Sequence, residues 1–331
     1  MLSFNEQEFL NGEKAALALR GQVEHAIDEI CAKGFKNIVL LGIGGTYAHG
    51  LQMQNIVDTY SDIPFYVVNA GEFLHQGFKK LTDDSLVIIE SASGDTQEVV
   101  DAVKIVKRTT GATIYGIINK PGTILCELSD YVISLPVGVH YKLFFTFMRL
   151  LHNLGDFPRY DAFCESLERL PEALVAVRKQ FDPVAEQIAR DYGDRPLYHL
   201  VGAGCLWGFV YSYGMCTLEE MLWMKTKSVH GAEFFHGALE VVDRDSTLFL
   251  FLSEDSSRPV MERVARFAPK ICANVLTFDT KDFALEGVAP EFRGLVAPFV
   301  MMSVCDRLNV HFEWERRHPL DIRRYYRRLD Y

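Results

Sequence analysis

Two short segments of this 331-residue chain combine glycine and hydroxyl-bearing residues in a way that suits an anion. Ser91-Ala92-Ser93-Gly94-Asp95-Thr96 offers three hydroxyls in six residues, with a glycine that lets the backbone curl. It stands between a predicted strand and a predicted helix, so free N–H groups of the helix's first turn would aim at the same anion. It contains no lysine and is not a P-loop. Gly42-Ile43-Gly44-Gly45-Thr46-Tyr47 is a second strand-to-helix turn, where Thr46 adds another hydroxyl. Tyr47 breaks the G-x-G-x-x-G spacing of a dinucleotide turn. The plainer readings are an ordinary serine/threonine helix cap for the first segment and close helix–strand packing for the second.

The elements that position these segments occur twice. Asn37–Leu41 is an aliphatic run ending in Gly42-Ile43-Gly44, and Leu197–Val201 is a similar run ending in Gly202-Ala203-Gly204, with Gly42 and Gly202 160 residues apart. Ser85–Ile89 leads into Ser91-Ala92-Ser93-Gly94, and Ser246–Leu250 leads into Ser253-Glu254-Asp255-Ser256, an offset of 161. Glu72 and Glu233, each before a phenylalanine, are also 161 apart and read as caps or loop anchors. Such a repeat implies two copies of one α/β unit. Strands are expected at Asn37–Leu41, Phe65–Asn69, Leu86–Glu90, Thr113–Ile118 and Tyr131–Leu135, then at Tyr198–Val201, Thr247–Leu252 and Asn274–Phe278. Their continuous apolar character fits parallel strands covered on both faces. Val99, Val103 and Val106 make one face of a helix over Glu98–Lys107. Phe163, Leu167, Leu170, Leu174 and Val177 make the face of an amphipathic helix over Arg159–Phe181, with Pro171 its one strong breaker. In such sheets ligands sit beyond the carboxyl ends of the strands, where both candidate segments fall.

Composition limits the function. The chain is 49% hydrophobic and 24% charged, which excludes a disordered or fibrous protein. Its net charge of -10 argues against nucleic acid or an anionic membrane as partner. The basic stretch is the tail from Glu313, with six arginines against four acids. The apolar runs Leu248–Leu252 and Leu295–Cys305 fall short of the roughly 20 residues that span a bilayer. The first residues lack the basic and apolar pattern of a secretory signal. Seven scattered cysteines read as reduced thiols, so a cytoplasmic protein is expected. No metal-ligand spacing occurs, and no metal or cofactor is expected.

The glycine turn, the S-x-S-G-x-T loop and the doubled α/β unit resemble a pair of sugar isomerase (SIS) domains. Glu219-Glu220-Met221-Leu222-Trp223, Ala232-Glu233-Phe234-Phe235-His236-Gly237 and the tail His318-Pro319 to Arg323-Arg324-Tyr325-Tyr326 resemble the amino-sugar phosphate deglycases. Those are relatives of the isomerase domain of glucosamine-6-phosphate synthase. The resemblance runs from about Gln22 to the end of the chain. It implies two tandem doubly wound, flavodoxin-like domains, over residues 20–155 and 183–331, joined by a helix over 156–182. It implies that Thr46, Ser91, Ser93 and Thr96 hold a sugar phosphate, with Gly45, Arg324 and Tyr325 nearby. It implies Glu220 and His236 as the acid/base pair, with the histidine loop reaching a neighbouring subunit, hence a homodimer.

Those roles agree with the chemistry. Moving a proton between C1 and C2 of an open-chain amino sugar needs one base near both carbons, and a carboxylate in a partly dry pocket suits that work. Histidine titrates in the range that ring opening requires. Without the resemblance, Glu219 and Glu220 read as a solvated helix face, and His236, between Phe235 and Gly237, as a core histidine; His230 does not align with the family histidine. The synthase uses a tail lysine where this chain has Arg324, which is never a neutral base. With only about 35 residues before the first expected strand, no counterpart of the synthase's glutaminase domain is expected. In the second copy, Glu254 and Asp255 would repel a phosphate, leaving one phosphate site per chain, and could instead favour a cationic lysine tail on the substrate. The reading is therefore a deglycase of an amino-acid-conjugated sugar 6-phosphate. The alternatives are an isomerase or deaminase of an unsubstituted amino-sugar phosphate, or a sensor that binds without turnover.

Overall fold

The computed structural model describes residues 1–330. The chain divides into two compact units: Glu6–Pro171, and Met1–Asn5 together with the chain from Glu172 onward.

The N-terminal unit begins with helices α1 (Glu6–Leu17) and α2 (Arg20–Lys33). Five strands follow: β1 (Asn37–Gly42), β2 (Phe65–Asn69), β3 (Ser85–Ser91), β4 (Thr113–Ile118) and β5 (Tyr131–Ser134). The intervening helices are α3 (Gly45–Tyr60), α4 (Ala70–Gln76), α5 (Gln97–Thr109) and α6 (Ile124–Leu128), and α7 (Val139–Asn153) closes the set. The sheet order is β2-β1-β3-β4-β5, every pair parallel. All seven residues of β3 are buried, as a central strand covered by helices on both faces requires. One layer of core joins Val87 and Ile89 of β3 to Val99, Val103 and Val106 of α5, the face expected from their spacing.

Helix α8 (Tyr160–Tyr192) is longer than the sequence pattern suggests and runs through Pro171. A proline inside a helix costs about 3 kcal/mol. The apolar stripe compensates: Phe163, Leu167, Leu170, Leu174 and Val177 are all buried. Phe163 packs on Phe144 and Phe157 in the N-terminal unit, and Phe181 packs on Phe278 and Phe283 in the C-terminal unit.

The C-terminal unit holds β6 (Tyr198–Gly202), β7 (Thr226–His230), β8 (Thr247–Leu252) and β9 (Asn274–Asp279), with α9 (Cys205–Ser212), α10 (Arg258–Phe267) and α11 (Arg293–Arg316). The order β7-β6-β8-β9, again parallel throughout, repeats that of β2-β1-β3-β4. Asn37 and Tyr198, Phe65 and Thr226, and Thr113 and Asn274 open equivalent strands and are each 161 residues apart. Strand β7 is absent from the expectations above. It lies at the sheet edge, and its Thr-Lys-Ser-Val-His sequence buries only Val229. The helix expected to carry Glu219 and Glu220 is instead a π-helix over Tyr213–Glu219 that continues α9, and Glu220 stands in the turn beyond it. π-helical turns are rare and gather at functional positions.

Candidate active site

In the N-terminal sheet the strand order reverses between β1 and β3, and this is where doubly wound sheets bind ligands. The glycine turn leaves β1 and the serine loop leaves β3, so the fold brings the two segments to one end of adjacent strands. Gly94 has φ +74°, and a Cβ there would lie 2.0 Å from the Thr123 hydroxyl oxygen, so the loop's tight bend admits only glycine.

The hydroxyls play different parts. Ser91 Oγ accepts from the Gly94 N–H at 2.9 Å, which shapes the loop and leaves its own proton to donate. Ser93 Oγ accepts from the Asp95 N–H at 3.4 Å. Thr96 is the N-cap of α5 but makes no side-chain cap bond. Thr123 at α6 and Ser257 at α10 are likewise N-caps without a side-chain cap bond, although such residues often satisfy a first-turn N–H. Helix α4 shows the ordinary case: Asn69 caps it by accepting from the N–H groups of Gly71 and Glu72. The Thr96 hydroxyl is thus not spent on the first turn of α5. Gly44, the N-cap of α3, has no side chain to offer, and Gly45 opens that helix. The Thr46 hydroxyl is spent locally: it donates to Ile43 O and accepts from Ile43 N, both at 3.0 Å. What Thr46 can still offer an anion is its backbone N–H.

In the C-terminal unit the adjacent glutamates separate. Glu219 anchors a loop, its Oε1 accepting from the Thr226 hydroxyl at 2.6 Å and the Thr226 N–H at 3.3 Å. Glu220 is half-buried, and its Oε1 accepts from Arg323 Nε at 2.8 Å. Arg323 is itself fixed by donating to Leu320 O and Ile322 O. Arg324, the residue singled out from the sequence, lies over the Trp223 ring at 4.2 Å, and His318 packs on that ring at 4.4 Å. Tyr325 is exposed, 5.9 Å from the Arg324 guanidinium. The tail thus folds over Glu220–Trp223, and the arginine on the carboxylate is Arg323.

His236 is exposed in a turn and is not a core histidine; no hydrogen bond joins it to Glu220 among the described residues. His230 ends β7, accepts from the Ala232 N–H through Nδ1, and packs edge-on against Trp207. Burial lowers its pKa, with Glu233 pulling the other way.

The loop after β8 gives a different result from the first copy. Asp255 Oδ2 accepts from the Cys205 N–H at 2.9 Å, the N-terminal amide of α9. Its Oδ1 accepts from the Ser257 N–H and hydroxyl. A Cβ on Gly204 would meet Ser257 Oγ at 2.1 Å and Asp255 Oδ2 at 2.6 Å, so the carboxylate is seated tightly against the turn. Glu254 is held by Arg293 at 2.8–3.1 Å. Both carboxylates are therefore consumed within the unit. This corrects the expectation that they could attract a cationic substrate tail.

Residues 34–152 match the family model of the SIS domain. Those residues carry all five strands of the N-terminal sheet, and the second sheet repeats the order of the first four. Over 330 residues the chain is 27% identical to the fructosamine deglycase of Bacillus subtilis, a match covering 96% of this chain and 99% of that protein. It is 26% identical to the fructoselysine 6-phosphate deglycase of Escherichia coli over 308 residues, covering 91% and 89%. A solved structure of a candidate phosphosugar isomerase from Bacillus subtilis superposes with a TM-score of 0.90 at 26% identity, covering 96% of this chain and 100% of that one.

Proposed function

We propose that this protein is a deglycase that cleaves fructosamine 6-phosphates with water to glucose 6-phosphate and a free amino acid. The observation that carries the reading is the meeting of the glycine turn and the serine loop at the switch point of the N-terminal sheet, in a chain similar along almost its whole length to named deglycases. Hydroxyls and helix N–H groups receive the phosphate there, which lets a chain of net charge -10 bind a dianion. Ser91, Ser93 and Thr96 donate hydroxyl protons, and Gly45 and Thr46 contribute backbone N–H groups.

With the ring open, Glu220 removes the proton at C1, and a proton is returned at C2. The C2 carbonyl becomes an alcohol, and the C1–nitrogen bond becomes an imine. Water adds to the imine carbon, and the amine leaves with the amino acid. Arg323 holds the Glu220 carboxylate in one orientation until substrate arrives. His236 serves ring opening. Its exposure suits a group that acts in the site of a second copy, so a homodimer belongs to the same proposal. Among the described residues no helix is long and apolar enough to cross a membrane, and a cytoplasmic setting is part of the reading.

The test is incubation of the purified protein with fructoselysine 6-phosphate, with glucose 6-phosphate read by a coupled assay. Release of glucose 6-phosphate together with lysine is expected. Product no greater than in the absence of protein overturns the reading. Turnover of glucosamine 6-phosphate in its place would move the assignment to an isomerase or deaminase.

A further inference from the structure

Four titratable side chains that the mechanism leaves unused meet beside the serine loop. Glu90 immediately precedes Ser91 in β3 and is buried. His49, from α3, places Nδ1 2.9 Å from both Glu90 oxygens. The His49 ring meets that of His140, from α7, edge-on at 5.3 Å. Two residues along α7, Lys142 is completely buried. Its Nζ donates to Asn119 Oδ1 at 2.5 Å and to Leu135 O at 2.6 Å. Asn119 in turn donates its backbone N–H to Ser91 O at 3.0 Å. Lys142 is thus tied through a single residue to the first serine of the loop.

The charges of this cluster do not balance. Burial works against the His49 charge, but Glu90 outweighs it and holds the imidazole above its ordinary pKa of 6.5. Glu90 and His49 therefore satisfy each other. Burial, with the nearby His49 charge, pushes His140 down to about 3, so it is neutral. Burial pushes Lys142 down to about 8 against the pull of Glu90, so it is mostly protonated at pH 7. The groups that face it are Glu90 from β3, already paired with His49 from α3, the neutral His140 of its own helix, and two uncharged oxygens. A buried ammonium without a carboxylate of its own is expensive, and proteins keep such groups mainly where a ligand completes them.

We propose that Lys142 is a positioning residue of the phosphate site: through Asn119 it braces the serine loop, and its unmatched positive charge is completed by the dianion the loop receives. Lys142 does not touch the ligand. The proposal rests on the reading that the serine loop holds a phosphate. Bound dianion stabilises the ammonium form, so binding above neutrality draws a proton onto the protein.

Isothermal titration with glucose 6-phosphate at pH 8, in two buffers of different ionisation enthalpy, measures that proton. The ligand is already dianionic there, since its second pKa is about 6. Uptake of about a third to a half of a proton is expected for a group half-titrated at that pH. Lys142→Met should bind about tenfold more weakly at pH 7 and show no uptake at pH 8. Lys142→Arg, which keeps the charge but does not titrate, should recover affinity without uptake. Wild-type binding with no proton uptake overturns the proposal, as does uptake that survives in Lys142→Met. Should Lys142→Met fail to fold, the wild-type measurement decides. Absence of any wild-type binding would instead overturn the phosphate reading itself, and this proposal with it.

Discussion

Each half of the chain carries a loop after the third strand of its sheet that opens with a serine, Ser91 in one and Ser253 in the other. Two residues later stands Ser93 in the first and Asp255 in the second. The first loop shapes itself with neutral hydroxyls and leaves α5 uncapped. In the second loop Asp255 takes the first amide of α9, the counterpart of α3, whereas α10, the counterpart of α5, has no side-chain cap either. The difference lies at α3 and α9: the start of α9 meets a carboxylate of its own chain, and the start of α3 has no side-chain cap. A single carboxylate thus gives the second copy a bond to a helix-terminal amide at a place where an anion would otherwise be favoured. On the proposed reading the duties then divide, with phosphate at the first copy and the candidate base, Glu220, in the second.

The largest expected effect tests that division. Glu220→Gln should lower kcat by about 10²–10⁴-fold while leaving glucose 6-phosphate affinity within about twofold. Glu219→Gln, which touches only Thr226, should change kcat by less than about threefold. Equal losses in the two variants would break the assignment. Next comes Ser93→Asp, which writes the second loop's solution into the first. It should raise KM about 100-fold or more through charge repulsion, with the unfolding midpoint unchanged. Unaltered KM would mean that the first loop does not hold the phosphate.

The reverse change, Asp255→Ser, removes a cap and should cost about 1–2 kcal/mol in urea unfolding with KM unaffected. A loss of affinity instead would show that the second loop still serves the substrate. The smallest effect concerns His140, whose folded pKa of about 3 lies below its unfolded value of 6.5. The unfolded chain binds a proton in that window that the folded chain refuses. Its stabilising contribution is present above pH 6.5 and is lost as pH falls toward 3. His49, with its pKa raised beside Glu90, acts in the opposite sense: its contribution is present below 6.5 and is lost as pH rises through its folded value. His140→Leu should therefore flatten the acid side of the stability profile by up to about 1.4 kcal/mol per pH unit. An unchanged slope between pH 6 and pH 4 would show that the ring is protonated without penalty.

Most of the architecture was legible because parallel strands are buried on both faces and advertise themselves as apolar runs. Phe65–Asn69, Thr113–Ile118 and Thr247–Leu252 have the bounds that their sequences suggest. β7 was hidden by its edge position, although the repeat pointed to it: 161 residues beyond Phe65 is Thr226. The π-helix before Glu220 has no signature in hydrophobic spacing, and the split between Glu219 and Glu220 depends on it. Hydroxyl spacing marked the serine loop, yet it could not say that the Thr46 hydroxyl closes its own turn while Thr96 leaves its helix uncapped. Arg323 and Arg324 are neighbours in a basic tail, and only the fold distinguishes the one on the carboxylate from the one on the tryptophan. Lys142 did leave a trace. It is the one formal charge in Val139–Met148, a run otherwise filled with phenylalanine, leucine and other buried residues.

Residues Met1–Asn5 belong to the same compact unit as the chain from Glu172 onward. Arg307 is buried, and besides its bond to Asp182 it donates to Leu2 O at 2.7 Å, while Phe4 lies under the guanidinium groups of Arg178 and Arg307. At about 5–20 residues per second, Met1–Asn5 is made roughly 15–60 s before Arg307, which receives it, while Glu6–Pro171 can already fold in between. A fragment started at Glu172 would be born with a buried arginine short of one acceptor. The C-terminal unit therefore depends for its completion on residues made well before the rest of it.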